Sequence, residues 1–287
     1  MTYETVGVVG YGYVGKAVAK FFKDNFQVKA FDPLYEAGEK DGILFTKEHD
    51  DINACDLVVV CVPTPEGADG SVDLSYIKST FEWLNAPAIL IKSTVPPGTT
   101  DRIIAGEFGK WIDLPVAFSP EYIGEGGYVV PWWKDRGYPH PTDMKFHGFH
   151  IFGGKKSATS RIIPFFQKVT GPDAKYIQTD TKTAELTKYM FNSWGATKVT
   201  FCNEFYNIAE AMGVDYNELR ELLLLDGRME AMHTAVFPDK RGFGGKCFPK
   251  DVRGIVEHST KNGYNPELLR EVLNSNQRIK KPFEGKH

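Results

Sequence analysis

The sequence predicts an α/β fold: a parallel-sheet domain followed by an all-helical domain, with a long connecting helix between them. Three observations carry this. The first 30 residues run apolar segment, glycine turn, helical stripe, apolar segment. Short apolar runs closed by turn residues then recur as far as residue 118. From Thr181 the pattern becomes one unbroken helical stripe.

Val6-Gly7-Val8-Val9 reads as a buried strand. Gly10 to Gly15 makes a turn, and Ala17, Val18, Phe21 and Phe22 follow at helical spacing. Val28 to Phe31 is a second strand, so the chain opens as a βαβ unit. Leu57–Val62 before Pro63, Ala88–Ile91 before Ser93 and Val116–Phe118 before Pro120 are further buried strands. Such near-continuous apolar runs are what a parallel sheet covered on both faces requires. Tyr128 to Phe149 holds three prolines, two tryptophans and two histidines without a period, and reads as a loop insertion.

Leu186, Met190, Trp194, Thr197, Phe201, Phe205, Ile208 and Met212 are spaced 4, 4, 3, 4, 4, 3, 4. They form one face of a helix of about 30 residues, closed by Gly213. The usual helix has about 11–12 residues, so this one is expected to span domains or subunits. A helix is expected around Tyr216–Leu225, a glycine-rich loop at Gly242–Gly245, and helix again from Asp251. Asn265 and Pro266 signal the start of a last helix, with Leu269, Val272, Leu273, Asn276 and Ile279 as its stripe. These features place a domain boundary near residue 180, giving 1–180 and 181–287.

Composition narrows the function. At 287 residues, two domains are expected. Charged residues at 25% and hydrophobic ones at 42% are ordinary for a folded globular chain. Net charge is −3, from 34 basic and 37 acidic residues, which leaves no excess to drive binding to nucleic acid. The longest apolar run is six residues, against the roughly 20 of a membrane span. Met1-Thr2-Tyr3-Glu4 leads straight into the first strand, so no signal peptide is read. Cys55, Cys61, Cys202 and Cys247 show no C-x-x-C spacing, which suits reduced thiols in a cytoplasmic enzyme.

Gly10-Tyr11-Gly12-Tyr13-Val14-Gly15 is a G-x-G-x-x-G between strand and helix. The first glycine makes the tight turn, the second lets a pyrophosphate approach, and the third lets helix and strand pack. The helix N-terminus then receives the phosphate. Asp32 ends the next strand, 22 residues after Gly10, where a ribose-binding acid belongs. A carboxylate there repels a 2′-phosphate, so a Rossmann-like NAD site is expected.

Cys247 lies in Gly242-Phe243-Gly244-Gly245-Lys246-Cys247-Phe248-Pro249-Lys250-Asp251. The glycines leave space beside the thiol, and Lys246 and Lys250 would favour a thiolate nucleophile. Read alone, Cys247 is equally a small buried residue beside a loop. Cys55, Cys61 and Cys202 sit among apolar neighbours and read as inert.

The ordered set of motifs resembles the UDP-glucose/GDP-mannose dehydrogenase family. It comprises Gly10–Gly15, Val62-Pro63-Thr64-Pro65 with Asp73-Leu74-Ser75, and Lys92-Ser93-Thr94-Val95-Pro96-Pro97-Gly98-Thr99. Ser119-Pro120-Glu121, Ala184-Glu185-Leu186-Thr187-Lys188 with Asn192, Asn203-Glu204 and the Cys247 loop complete it. The resemblance implies two NAD-dependent hydride transfers at one carbon of a nucleotide sugar. A cysteine thiohemiacetal and thioester lie between them, with UDP-glucose to UDP-glucuronate as the first candidate.

Roles follow by position. The resemblance makes Cys247 the nucleophile. Lys188 and Asn192, four apart on one helical face, become donors to the developing oxyanions and to substrate. Asp251 and Thr94 hold a water, and Glu121 serves the hydrolytic step as base or water orienter. Thr64, Thr94 and Glu125 touch the cofactor together with Gly10, Gly12, Tyr13, Val14, Gly15 and Asp32. Phe243, Gly244 and Arg228 meet the sugar nucleotide, Arg228 that of a neighbouring subunit, and the long helix pairs two subunits. Each residue also has a plainer reading: Lys188 a solvated charge, Asn192 a surface residue, Thr94 a cap, Asp251 the N-cap of its helix.

The sequence departs from the family in three places. The family continues into a further nucleotide-gripping domain that this sequence does not include. The 128–149 segment, with Trp132 and Trp133, replaces a shorter stretch. Gly124 and Lys246 stand where an arginine and a serine are common. Two rivals remain open at this point: a two-electron hydroxyacid-type dehydrogenase and a non-catalytic NAD-binding subunit. His140, His147, His150 and Asp143 fall within eleven residues but lack a helical or cysteine partner, so they read as a polar loop and no metal is expected.

Overall fold

The structure, a computed structural model, describes residues 4–109, 115–123 and 143–280. Gly124, Glu125, Trp132, Trp133, His140 and most of the 128–149 segment lie outside the described residues. The chain divides into two compact units, residues 1–65 with 73–188 and residues 66–72 with 189–287. The division falls inside a continuous helix, at 188/189 rather than near 180. A helix that runs through a boundary gives no local signal of it.

The first unit is built on a nine-stranded sheet among the described residues. Its strands are β1 (Thr5–Val9), β2 (Gln27–Phe31), β3 (Gly38–Lys40), β4 (Ile43–Phe45), β5 (Leu57–Val60), β6 (Ile89–Ile91), β7 (Val116–Phe118), β8 (Phe149–Gly153) and β9 (Lys175–Thr179). The order is β3-β4-β2-β1-β5-β6-β7-β8-β9, with only β3–β4 and β7–β8 antiparallel. Helices α1 (Tyr13–Phe22), α2 (His49–Asn53), α3 (Ser75–Trp83), α4 (Thr99–Ile104) and α5 (Lys156–Thr170) belong to the same unit.

Strand residues alternate between two cores. Val6, Val8, Leu57 and Val59 pack with Phe21 and Phe22 of α1 and Phe165 and Phe166 of α5. Val58, Val60, Ile89 and Ile91 pack with Ile77 and Phe81 of α3 and Ile103 of α4. That double burial explains the unbroken apolar runs. Chain order reverses between β1 and β5, and the carboxyl ends of strands at such a switch point are where this fold takes a ligand.

The long helix α6 (Thr181–Ala211) has 31 residues and is followed by Gly213 at φ 70°. In the second unit α7 (Tyr216–Leu223), α8 (Phe248–Lys261) and α9 (Glu267–Lys280) follow. Ala196, Phe243, Val252 and Val272 form its main core. The helix expected from Asp251 begins earlier, at Phe248, with Cys247 as its N-cap residue and Pro249 in the first turn. Asp251 is therefore inside the helix, not its cap. Residues 66–72 join this unit through a bidentate Glu66–Arg253 pair at 2.6 and 2.7 Å and through Asp69–Lys261. Among the described residues, no helix is long and apolar enough to cross a membrane.

Candidate active site

In the first unit the glycine turn sits directly on the switch point. Gly10 follows β1 with φ +86°, and a Cβ there would lie 2.8 Å from the Cys61 carbonyl at the end of β5. A Cβ on Gly15 would lie 1.9 Å from the Gly10 carbonyl oxygen, so only glycine lets α1 close on the turn. A Cβ on Gly12 would meet nothing within 4 Å. That open position stands at the N-terminus of α1, where no side chain caps the helix and no acid occupies the first turn. An anion is favoured there by free N–H groups and the helix dipole. Tyr13 and Val14 begin the helix.

Asp32 directly follows β2 and accepts from the Tyr11 N–H at 2.7 Å and the Leu34 N–H at 2.9 Å. These bonds orient the carboxylate and leave lone pairs for ribose hydroxyls. The residues present thus fit a dinucleotide at each of the three points its recognition needs.

The loops after β5 and β6 are tied together. Thr64 Oγ1 donates to the Thr94 carbonyl at 2.8 Å, and Ser93 Oγ to the Val62 carbonyl at 2.7 Å. Thr94 itself is half-buried, and the helix after it is capped at Gly98, so Thr94 is not that cap. Glu185, fully buried on α6, accepts from Gly98 N at 2.5 Å, Thr100 N at 2.8 Å and Thr100 Oγ1 at 2.6 Å. Burial pushes its carboxyl up to about 7, against the pull of these three bonds. Lys188, one turn further along α6, is buried too, with its ammonium 5.6 Å from the centre of the Tyr122 ring. A solvated charge is not what the structure shows at this position.

Glu121, three residues beyond β7, pairs with Lys92 at 2.9 Å. Burial alone would raise its carboxyl, but the Lys92 charge, with the Tyr122 N–H and His147, holds it below the usual range. A carboxylate held that low is a weak base, which favours water orientation over proton abstraction.

In the second unit Cys247 caps α8, where N–H groups and the helix dipole favour a thiolate. Asp251 stands one turn on, its N–H donating to the Cys247 carbonyl at 2.9 Å. Its carboxylate is buried and takes the Asn192 side-chain N–H at 2.5 Å and the Lys250 ammonium at 2.6 Å. The structure therefore links Cys247, Asp251 and Asn192, and Asn192 is buried rather than on the surface. Lys250 is engaged by Asp251, and Lys246 is exposed.

The loop before Cys247 is pinned from two sides. Asn276 of α9 brackets Phe243, accepting its N–H at 2.7 Å and donating to its carbonyl at 3.0 Å. Asn203 of α6 accepts from Arg241 Nε at 2.7 Å and Gly242 N at 3.2 Å. Gly244 is exposed beside the pinned Phe243. Arg228 is exposed and held by Asp226.

The remaining cysteines are buried. Burial pushes the Cys55 thiol up to about 11 and raises those of Cys61 and Cys202. None of the four cysteines is in a disulfide. His150 departs from the polar-loop reading. It lies in β8, buried against Phe166 and Tyr176, and burial lowers it to about 3.

Residues 29–135 match the NAD binding domain of the UDP-glucose/GDP-mannose dehydrogenase family, and residues 182–278 match its central domain. The chain belongs to this family. It is 31% identical to a UDP-glucose 6-dehydrogenase of Rickettsia conorii over 93% of this chain and 62% of that protein. It is 32% identical to a GDP-mannose 6-dehydrogenase of Pseudomonas savastanoi pv. phaseolicola over 78% of this chain and 51% of that protein. A solved UDP-glucose dehydrogenase of Pyrobaculum islandicum superposes with a TM-score of 0.77 at 27% identity, over 96% of this chain and 68% of that one. The chain thus spans less than two thirds of the length of these curated relatives.

Membership of the family makes NAD the cofactor. Sequence reasoning missed Lys92, Glu185, Asn276 and Arg241. All but Arg241 lie in segments already singled out, but only their burial and bonding mark them. A lysine closing an apolar strand was the one signal available in advance.

Proposed function

We propose that the chain oxidises the primary alcohol of a nucleotide sugar to the carboxylate in two NAD-dependent steps through Cys247, with UDP-glucose as the first candidate. The observation that carries this reading is the linked set in the second unit: a cysteine at a helix N-terminus, with an aspartate one turn on bonded to Asn192. A two-electron dehydrogenase has no use for such a thiol. The reading rests on family membership for the sugar nucleotide, and relatives named for both UDP- and GDP-sugars keep the base open.

NAD, held by the Gly10–Gly15 turn and Asp32, would supply the hydride acceptor for each oxidation. Lys188 and Asn192 donate to the substrate oxygen as it gains charge, first as alkoxide, then on the thiohemiacetal and thioester. The Cys247 thiolate adds to the aldehyde carbon, and a proton goes to the oxygen. Loss of that hydroxyl proton to solvent and of the second hydride leaves a thioester on Cys247. Water, held by Thr94 and Asp251 and oriented by Glu121, attacks the thioester carbonyl. The C–S bond breaks, the two protons of the water pass to solvent, the thiolate returns and the carboxylate leaves. Covalent capture retains the aldehyde while spent cofactor is exchanged. Phe243, Gly244 and Arg228 are assigned to the sugar nucleotide, and Thr64 to the cofactor. Glu125 keeps its family role near the nicotinamide as a proposal. Cysteines not joined in disulfides suit a reducing cytoplasm as the working compartment.

The test is stoichiometry. A panel of UDP-, GDP- and CDP-sugars is incubated with NAD at known protein concentration and read by NADH absorbance. Two NADH per sugar consumed are expected for the true substrate. One NADH per sugar with an aldehyde product would sink the reading, and tight NAD binding without turnover across the panel would favour a non-catalytic subunit.

A homodimer through α6 belongs to the same proposal. Met190, Trp194 and Phe201 are 74, 59 and 57% exposed in the single chain, on one stripe of the helix. Stripes of this size are rarely left in water. The chain is expected to run as a dimer in light scattering and Trp194→Asp with Phe201→Asp as a monomer. A wild-type monomer at micromolar concentration would overturn this part.

A further inference from the structure

The sheet carries a buried ion pair to which the reaction scheme gives only half a role. Lys92 directly follows β6 and Glu121 lies just past β7. Ile91 and Phe118 are partners across the two strands, so both side chains emerge at the carboxyl ends of neighbouring parallel strands. Lys92 is 3% exposed and Glu121 5%, and Nζ lies 2.9 Å from Oε2. Glu121 Oε1 is fully occupied, accepting from Tyr122 N at 2.8 Å and Ile123 N at 3.1 Å. Oε2 is different. It faces the ammonium but makes no well-formed hydrogen bond among the described residues. The other contacts of the ammonium, Ser119 Oγ at 3.4 Å and the Pro120 carbonyl at 3.5 Å, are long.

A buried pair of this kind is a poor device for stability alone, because desolvating two charges offsets most of their attraction. One oxygen locked by two backbone N–H groups and one left with spare acceptor capacity is what a water-binding carboxylate needs. We propose that Lys92 is the positioning residue for Glu121, fixing its carboxylate so that Oε2 accepts from the water that attacks the thioester. This rests on the reading of Glu121 given above.

Other groups also face Glu121: the Cys61 thiol, the Tyr122 hydroxyl and the His147 and His150 imidazoles. Burial lowers both histidines, so they are neutral at pH 7 and Lys92 supplies the countercharge. Without it, burial is opposed mainly by the backbone N–H groups on Oε1, and the Glu121 carboxyl moves upward.

The experiment compares wild type, Lys92→Met, Lys92→Arg, Glu121→Gln and the double variant Lys92→Met/Glu121→Gln. UDP-glucose and NAD are the probes, and intact mass reads the acyl-enzyme. Hydrolysis by the wild type is expected to be flat from pH 9 to about 5.5, because Glu121 stays ionised. Lys92→Met is expected to hydrolyse at least about tenfold more slowly at pH 7, to accumulate acyl-enzyme and to recover as the pH is raised. Lys92→Arg restores the flat profile.

Infrared difference spectra at pH 7 give a readout without substrate: a protonated-carboxyl band in Lys92→Met that is missing from the wild type and the double variant. A flat profile with an ionised Glu121 in Lys92→Met overturns the inference. Wild-type hydrolysis by Glu121→Gln overturns instead the role of Glu121. Should Lys92→Met not fold, infrared titration of the wild type against Glu121→Gln decides, and a Glu121 band emerging above pH 5 counts against the pair.

Discussion

Cys247→Ser is expected to lower carboxylate formation on the order of 10³-fold or more while leaving the fold and NAD binding intact. The thiolate is the reactive species in the proposed capture step, and a helix N-terminus favours a thiolate far more readily than an alkoxide. A serine hydroxyl at the same place stays protonated at pH 7 and traps the aldehyde poorly. The substitution is mild for the scaffold. Cys247 makes no side-chain capping bond, and serine is among the best N-cap residues. The thermal midpoint is therefore expected to hold or rise slightly. NADH absorbance and mass spectrometry of the sugar product check the outcome. Carboxylate formation by the serine variant at a wild-type rate would remove Cys247 from the chemistry and with it the four-electron reading.

Parts of the fold were plain in the sequence for a physical reason. β1, β5, β6 and β7 are covered on both faces, so their residues are apolar in nearly unbroken runs, whereas β2 shows itself by alternation, with Val28 and Ala30 buried. The strands that escaped notice lie toward the edges of the sheet. β3 is exposed at every residue, and β9 has no buried residue in its five. β4 has only three residues, too few to show a period. β8 begins at the end of a segment without apolar period, and a histidine at a buried position carries no apolar signal.

The long helix shows how a correct period can conceal the face that matters. The apolar stripe through Met190 and Trp194 is what periodicity detects, yet it is turned outward in the single chain. The buried positions of the same helix include Glu185, Lys188, Asn192 and Asn203. A buried polar face looks like a solvent face until its partners are known. The same holds for the site: Asn192 and Asp251 are 59 residues apart, and nothing in their local sequence pairs them. Only the order of motifs suggested that they share a role. Burial and bonding then link the two, and add Lys92 and Glu185, whose charges make sense only once the β6 and β7 loops are folded over them.

Gly12 and Gly15 separate cofactor binding from folding, and the two substitutions are expected to fail in opposite ways. Gly12 stands in extended backbone with open space where a Cβ would go, so Gly12→Val is expected to fold with a thermal midpoint close to wild type. The isopropyl group then occupies the position a pyrophosphate must approach, and NAD affinity is expected to fall about 100-fold or more, equivalent to roughly 2.7 kcal/mol. At Gly15 a methyl group would lie 1.9 Å from the Gly10 carbonyl oxygen, which is backbone and has no rotamer to yield. Gly15→Ala must therefore lift α1 off the β1 turn. The expected cost is about 4 kcal/mol or more, a fall of roughly 8–16 °C in midpoint for a unit of this size. Calorimetry with and without NAD reads both. Wild-type NAD affinity in Gly12→Val would mean the dinucleotide does not cross the turn, and a wild-type midpoint in Gly15→Ala would mean the turn is not closed as described. The pair matters because loss of activity in either variant alone has two explanations, whereas an intact fold that no longer holds NAD has one.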